Sequence, residues 1–341
     1  MSETDIDIVV MWVDGNDPEW LKEKVKYSVD DNADGSVYRY RDWGLLRYWF
    51  RGIDKFAPWV RKVHFVTWGH VPDWLDTANP KLNIVKHEDF IPKKYLPTFS
   101  ANTIEDNIHR IKGLAEKFIL FNDDFYLINE TKPEDFFKNG LPMDTIALNV
   151  SCPQKSLISR YFDINNTAVI NDHFDFHESL KKNKKKWRSL KNGCSSIARY
   201  MILKRCPRFP GFWQHHLATS YLKSTFDEVW REEPEALDET CSHKFRESSD
   251  MNQWLFKDWQ IAKGNIEIRS SKFGKAFYID RDGVEKIQDE IVGYIKGQKG
   301  KIIAINDGEM DEKAMKAFIS DLRHGFDAIM AGKSCFEKDE M

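Results

Sequence analysis

Cysteine is scarce in this chain. The 341 residues hold five, at 152, 194, 206, 241 and 335. The number is odd and the spacing is not zinc-like, so neither a disulfide framework nor a structural zinc is indicated, and a reducing compartment is expected. No apolar run approaches the roughly 18 residues of a membrane span. The start, Met1-Ser-Glu-Thr-Asp-Ile-Asp, is acidic and lacks the basic-then-apolar order of a signal peptide. Excess charge is missing too: a net charge of −3 implies no general attraction to nucleic acid or to an anionic membrane. There is no internal repeat and no low-complexity tract. These absences leave a cytoplasmic protein, at most peripheral to the inner face of a membrane.

What is present is globular in character, with 41% hydrophobic and 31% charged residues. The length suits one large α/β domain or two smaller ones. Aromatics reach 13%, with 12 Trp. Aromatic faces suit sugar rings, and the same residues fill cores.

The stretch Lys117-Phe118-Ile119-Leu120-Phe121-Asn122-Asp123-Asp124-Phe125 is the most informative. Four apolar residues bounded by charge predict a short strand buried on both faces. Asn122, Asp123 and Asp124 follow at once. In an open α/β sheet, ligands bind just beyond the carboxyl ends of the strands. Two adjacent carboxylates placed there repel, and a hard divalent cation relieves the repulsion. The same residues also describe an ordinary polar turn. Ile6 to Val13 repeats the design, running into Asp14-Gly15-Asn16-Asp17-Pro18, and so does Lys301 to Ile305, ending in Asn306-Asp307. One such cluster would be a turn; three predict an acidic pocket shared at one sheet edge.

Other segments are set around these strands. Asp42 to Phe56 has helical periodicity, with Leu45, Leu46, Trp49, Phe50 and Ile53 on one face and Asp42 as cap. Arg41, Arg47 and Arg51 lie on or near it, positioned to meet phosphates or to form an exposed helix face. Val63 to Thr67 and Leu82 to Val85 are strand candidates. Ser100 can cap a helix to about Leu114, which carries Arg110 and puts Glu105 and His109 on one face. His109 can work chemically or orient a neighbouring loop. Pro133 marks another helix start.

The second half is more helical. His215-His216 opens a helix through Trp230, interrupted near its end by Pro234. An aromatic helix holds Trp254, Phe256 and Trp259, and Asp311 caps a last helix to about Ile329. Lys181 to Arg188 is the one dense basic run, a solvated helix face or a contact for anionic headgroups or a polyanionic acceptor. The βαβ-like rhythm predicts an α/β, Rossmann-like fold: a mixed, largely parallel sheet flanked by helices. Residues 1–332 form one domain. It has a sheet core in 1–150, a mainly helical insertion over 151–265 and a return to the core over 266–332. A flexible tail follows at 333–341.

With these residues in view, the chain resembles the Stealth family of hexose-1-phosphoryltransferases, which also includes the lysosomal-enzyme N-acetylglucosamine-1-phosphotransferase. Four family blocks occur in order. The first is Ile6-Asp-Ile-Val-Val-Met-Trp-Val-Asp-Gly-Asn-Asp-Pro18. The second spans roughly 41–137 and holds Leu45-Leu46-Arg47-Tyr48, Ala57-Pro58-Trp59-Val60-Arg61, Leu96-Pro97-Thr98-Phe99-Ser100, Ile104-Glu105, His109-Arg110-Ile111 and Phe121-Asn122-Asp123-Asp124. The third spans roughly 200–262, with His216, Phe245-Arg246 and Ser249-Asp250-Met251. The fourth is Ile305-Asn306-Asp307.

The resemblance implies a glycosyltransferase-A-like core. It also implies transfer of a hexose 1-phosphate, of the N-acetylhexosamine type, from a UDP-sugar to a hydroxyl of a glycan or lipid-linked oligosaccharide. UMP leaves, and Mg²⁺ or Mn²⁺ takes part. By position it makes His216, Arg246 and Asp124 catalytic. Asp123, Asp124, Asn306 and Asp307 become metal residues, and Asp14, Gly15, Asp17, Arg41, Arg47, Asn122, His109, Arg110 and Asp250 substrate-binding ones. A metal-dependent glycosyltransferase releasing UDP, or a non-catalytic carbohydrate-binding protein, would use the same strand-end acids and aromatic faces. Two departures from the family pattern, Thr67-Trp68-Gly69-His70 and Tyr48-Trp49-Phe50, are candidates for altered donor choice. His215 directly precedes His216, so the assignment between them depends on register.

Overall fold

The structure is a computed structural model and describes residues 5–28, 40–155 and 157–339. The first half supplies β1 (Ile6–Met11), β2 (Lys62–Thr67), β3 (Leu82–Lys86), β4 (Lys117–Asn122) and β5 (Phe125–Leu127). Two short strands follow, β6 (Phe137–Lys138) and β7 (Leu141–Asp144). The second half adds β8 (Thr219–Leu222), β9 (Glu267–Ile268), β10 (Gly274–Tyr278) and β11 (Ile302–Asn306).

The main sheet has the order β3-β2-β1-β4-β8. Its first four strands are parallel, and β8 runs antiparallel to β4. The sheet is therefore mixed and largely parallel, as the sequence rhythm predicts. Both faces are covered, which is why β1 and β4 read as nearly unbroken apolar runs. Ile8 and Val10 point into one core with the helix Leu46–Phe56; Val9 points into the other with the helix Trp254–Lys263.

Asp7 is the exception inside β1, and it is fully buried. It accepts hydrogen bonds from Arg61 Nε and Ala115 N, both at 2.8 Å, and lies 3.0 Å from His64 Nε2. Burial alone would raise this carboxyl. The bonds from His64, Arg61 and Ala115 N outweigh that and hold it below the usual carboxylate range. The knot fastens β1, β2 and the entry to β4 at the end of the sheet where those strands begin.

A second sheet has the order β10-β11-β5, with β10 and β11 parallel and β5 antiparallel to β11. Only Asp123 and Asp124 separate β4 from β5. Those two residues therefore carry the chain from one sheet to the other. The helix Leu46–Phe56 lies close on β5: a Cβ at Gly52 would come within 2.8 Å of the Leu127 carbonyl oxygen, so glycine is what permits the approach. A small third sheet, β6-β7-β9, completes the strands.

Several elements differ from the sequence expectations. Asp42 does not cap its helix; it closes a turn by accepting from Gly44 N at 2.7 Å, and the helix starts at Leu46. The helix after Ser100 ends at Asn107 and passes into a single 3-10 turn, because Ile111 and Leu114 tuck into the core. Pro133 begins only a 3-10 turn. His215 and His216 lie in a loop ahead of β8, where Thr219, Ser220 and Tyr221 are buried in the main sheet. The region 151–265 thus contributes a core strand and is more than a helical insertion. Pro234 starts the helix Pro234–Ser242, with Pro at its first turn. Among the described residues no helix is long and apolar enough to cross a membrane.

The expected loose tail is tied to the body through residue 338. Phe336 is buried and sits 5.2 Å from the Phe50 ring. Glu337 accepts from Arg51 Nε and Nη2 at 2.8 and 3.0 Å and from Ser334 N at 2.9 Å. Phe336→Ala should therefore cost about 3–5 kcal/mol of stability. Urea unfolding measures this, and a midpoint equal to wild type would show the contact to be idle.

Candidate active site

A cleft of about 1330 Å³ opens where β1, β4 and β11 end. Single-ligand pockets commonly hold about 300–1,000 Å³, so this one has room for two substrates side by side. Its floor is built by strand ends. Asn122 closes β4 and Asn306 closes β11, and Ile305 N donates to the Asp124 carbonyl at 3.1 Å. Two of the three predicted acid clusters therefore meet. Asp307 is held by Arg41 Nη1 (3.3 Å), Trp43 Nε1 (3.2 Å) and Gly308 N (2.7 Å). Asp42, in the turn before the helix Leu46–Phe56, lines the same floor.

These carboxyls are crowded. Asp123 is open to the cleft and Asp124 is half-buried. Enclosure by the cleft walls and then the charge of Asp42 push Asp123 up to about 7. Asp124 is driven well above the carboxylate range by the same enclosure, then by Asp123 and Asp307. Asp42 and Asp307 are raised as well, each first by burial, with Asp14 adding to Asp42 and Asp280 to Asp307. An acid floor that disfavours its own ionisation accepts positive charge. Oxygen-rich side chains suit Mg²⁺ or Mn²⁺, and among the described residues the side-chain oxygen Oδ1 of Asn122 is buried without a hydrogen-bond partner. Among the described residues no three His, Cys, Asp or Glu side chains converge to hold an ion alone. A cation here would complete its shell from substrate oxygens, as Mg²⁺ commonly does.

The facing wall carries the imidazoles and a guanidinium. His215 and His216 both line the cleft, and the His216 ring stands edge-on to Phe125 at 5.0 Å, next to the acid pair. Burial lowers both imidazoles to about 4, with positive neighbours adding to the effect. Gln214 Nε2 donates to both oxygens of the buried Asp258, at 3.1 and 2.9 Å, which fixes the start of the loop. Arg246 is delivered by its neighbours: Phe99 N donates to the Lys244 carbonyl at 2.9 Å, and Phe245 stacks on Phe99 at 5.3 Å. Glu105 is buried against this corner and accepts from Gln253 Nε2 at 3.1 Å. Burial pushes it up to about 7 although the Arg246 charge opposes the shift.

The structure thus brings together Arg41, Asn122, Asp123, Asp124, His216, Arg246, Asn306 and Asp307. Other expected residues stand elsewhere. In the first block Trp12 and Val13 line the cleft, while Asp14, Gly15 and Asp17 lie behind its rim. Asp17 caps the helix Pro18–Tyr27, Asp14 N donates to His70 Nε2 at 2.7 Å, and a Cβ on Gly15 would collide with the Tyr40 carbonyl. Arg47 lies over Trp74 at 5.1 Å and pairs with Glu337. Arg110 bonds Asn107 and lies over Trp230 at 4.7 Å. His109 is buried against Phe226 at 5.7 Å. Asp250 is sealed in by His243, Asn102 and Glu247 N. Of the two family departures, Tyr48-Trp49-Phe50 is core, whereas Thr67–His70 braces the rim at Asp14.

Sequence reasoning missed Asp42 and Glu105. Asp42 reads as a cap because it precedes an amphipathic run. Glu105 had one available signal, the adjacent acids Glu105-Asp106 on a helix that turns out buried.

Comparison with known proteins bears on this cleft. The model for Stealth protein conserved region 2 matches residues 39–144, and that for conserved region 1 matches residues 4–28. The chain is 41% identical to the receptor polysaccharide phosphotransferase WefC of Streptococcus oralis, over 97% of this chain and 99% of that one. The chain belongs to the Stealth family. Another Stealth relative, the capsular polysaccharide phosphotransferase WcwK of Streptococcus pneumoniae, is 39% identical over 98% of each chain. A third, the exopolysaccharide phosphotransferase cps2G of Lactiplantibacillus plantarum, is 34% identical over 98% of this chain and 96% of that one. Like them, this Stealth chain is a phosphotransferase enzyme. Among solved structures, the galactosyltransferase LgtC with donor and acceptor sugar analogues covers 93% of this chain and 95% of its own at 8% identity and a TM-score of 0.37. A likeness so distant carries nothing about activity.

His109 generates a stability prediction. Burial lowers its imidazole to about 3, far below the unfolded value of about 6.5. The unfolded chain therefore binds the extra proton first, and stability is lost as pH falls below about 6.5. By pH 5 the loss from this group is about 2 kcal/mol relative to pH 8. His109→Leu should flatten that part of the melting temperature against pH profile; an unchanged acid slope would contradict it.

Proposed function

We propose that the enzyme transfers hexose 1-phosphate, of the N-acetylhexosamine type, from a UDP-sugar to a hydroxyl of a capsular or cell-surface glycan or its lipid-linked precursor. One observation carries this reading: a self-repelling acid floor faces an imidazole and a guanidinium across a single cleft sized for two substrates. Phosphoryl transfer asks mainly for positioning and for charge stabilisation around phosphorus.

In the proposed reaction the acceptor oxygen bonds to the sugar-bearing phosphorus. The pyrophosphate P–O bond breaks, and UMP leaves with the bridging oxygen. His216 accepts the hydroxyl proton, and its lowered pKa keeps it neutral for that task. Its ring contact with Phe125 sets it beside Asp124, which favours it over His215. Arg246 binds phosphate oxygens, and its charge is felt by Glu105 in the same corner. Asp123, Asp124, Asn306 and Asp307 would hold Mg²⁺ or Mn²⁺, which when bound neutralises diphosphate charge. Arg41 reaches the same floor through Asp307.

The test is a panel of UDP-sugars with Mg²⁺ and oligosaccharide acceptors, scored for the released nucleotide. UMP is expected; UDP would mean glycosyl transfer instead. His216→Ala should lower kcat by about 10²–10⁴-fold, with the donor KM little changed. Because the His216 imidazole is lowered to about 4, its own protonation should add an acid limb of kcat/KM below pH 5.5. An acid profile below pH 5.5 and a kcat that His216→Ala both leave unchanged would remove His216 from the role.

A further inference from the structure

Charge is distributed very unevenly along this chain. Between Ser179 and Phe226 there are twelve Lys and Arg and no Asp or Glu. The rest of the chain sets 39 Lys and Arg against all 54 acids, a net of −15. The basic segment is folded: Trp187 is buried, and Lys186 bonds the carbonyls of Gly264 and Ile266. Among the described lysines and arginines of the segment, Lys186 alone forms an ion pair, with Glu267.

Exposed apolar side chains sit within this basic field. Leu190 is 81% exposed, Ile202 72% and Met201 44%. Met201 and Ile202 lie in the last turn of the helix Cys194–Leu203, and Leu190 opens the 3-10 turn Leu190–Asn192 that precedes it. Exposed Arg188 and Lys191 flank Leu190, and Lys204, Arg205 and Arg208 follow the helix. Apolar residues ringed by long basic side chains suit an anionic bilayer: the apolar groups enter the acyl boundary while the cations stay among headgroup phosphates. The same helix reaches the cleft wall. Arg199 donates to the Leu148 carbonyl at 3.1 Å and lies over Trp213 at 4.7 Å, and Trp213 lines the cleft.

We infer that Leu190 and the helix Cys194–Leu203, with their surrounding lysines and arginines, dock on an anionic lipid bilayer and so hold the cleft close to the membrane surface. This revises the role of the run Lys181–Arg188, which supplies attraction while Leu190, Met201 and Ile202 supply insertion. The surface is independent of the chemistry in the cleft, so its failure would leave the phosphotransfer reading intact.

Flotation of the full chain with vesicles tests it. Vesicles containing phosphatidylglycerol should carry the protein, pure phosphatidylcholine vesicles should not, and high salt should release it. Leu190→Ser/Ile202→Ser should weaken binding at least tenfold at an unchanged melting temperature, since both side chains are exposed. Lys184→Glu/Lys185→Glu should weaken it by a factor of roughly five or more per residue. Dextran sulfate binding distinguishes a plain polyanion groove. Absence of flotation, or flotation that the apolar pair leaves unchanged while the charge pair abolishes both it and dextran sulfate binding, would overturn the inference.

Discussion

The structure turns on a two-residue link. Asn122 is the last residue of a parallel strand in one sheet, and Phe125 is the first of an antiparallel strand in another. Asp123 and Asp124 must bridge the two sheets with no length to spare. Where strands from different sheets diverge, backbone pairing ends and a crevice is left. Acids fixed at that point face the crevice, Asp123 open to it and Asp124 half-buried beside it. Their crowding follows from the geometry of the link, and the raised pKa values of Asp123 and Asp124 express it electrostatically.

The mutual repulsion of the floor carboxyls is opposed elsewhere. The Asp7 knot fastens the far end of β1, β2 and β4, so the strand ends that carry the floor are fixed from behind. Arg41 and Trp43 reach across to Asp307 and tie the helix approach to the β11 end. The C-terminal segment, through Phe336 and Glu337, closes the opposite side of the helix Leu46–Phe56. The Asp7 knot and the C-terminal segment lie outside the cleft, and together with the Asp307 contact they set where the reacting groups stand.

Much of this was legible in the sequence, and the exceptions have physical causes. Lys117–Phe121 and Lys301–Ile305 were readable as strands because burial on both faces demands unbroken apolar runs. That their ends meet was inferred only from the repeated Asn-Asp pattern. The 14–17 cluster shows the limit of that inference, since its acids cap a helix and shape a rim. The edge strand β8 was hidden because Thr219-Ser-Tyr-Leu222 is short and polar, and the helix that follows it dominates the local periodicity. Asp42 and Glu105 were unreadable because a cap, a surface acid and a cleft acid look alike until distant segments fold against them. His109 was misplaced for the converse reason: its spacing from Glu105 is helical, but the helix tightens at Ile108 and the ring turns into the core.

Gly52 has a consequence for motion. A helix seated backbone to backbone against Leu127 cannot slide without dragging β5 along. Asp124, one residue before β5, and the segment Arg41–Trp43 leading into that helix therefore travel as one solid piece. Whatever breathing admits a bulky acceptor falls to the other bank, to the loops bearing Trp213 and Lys272.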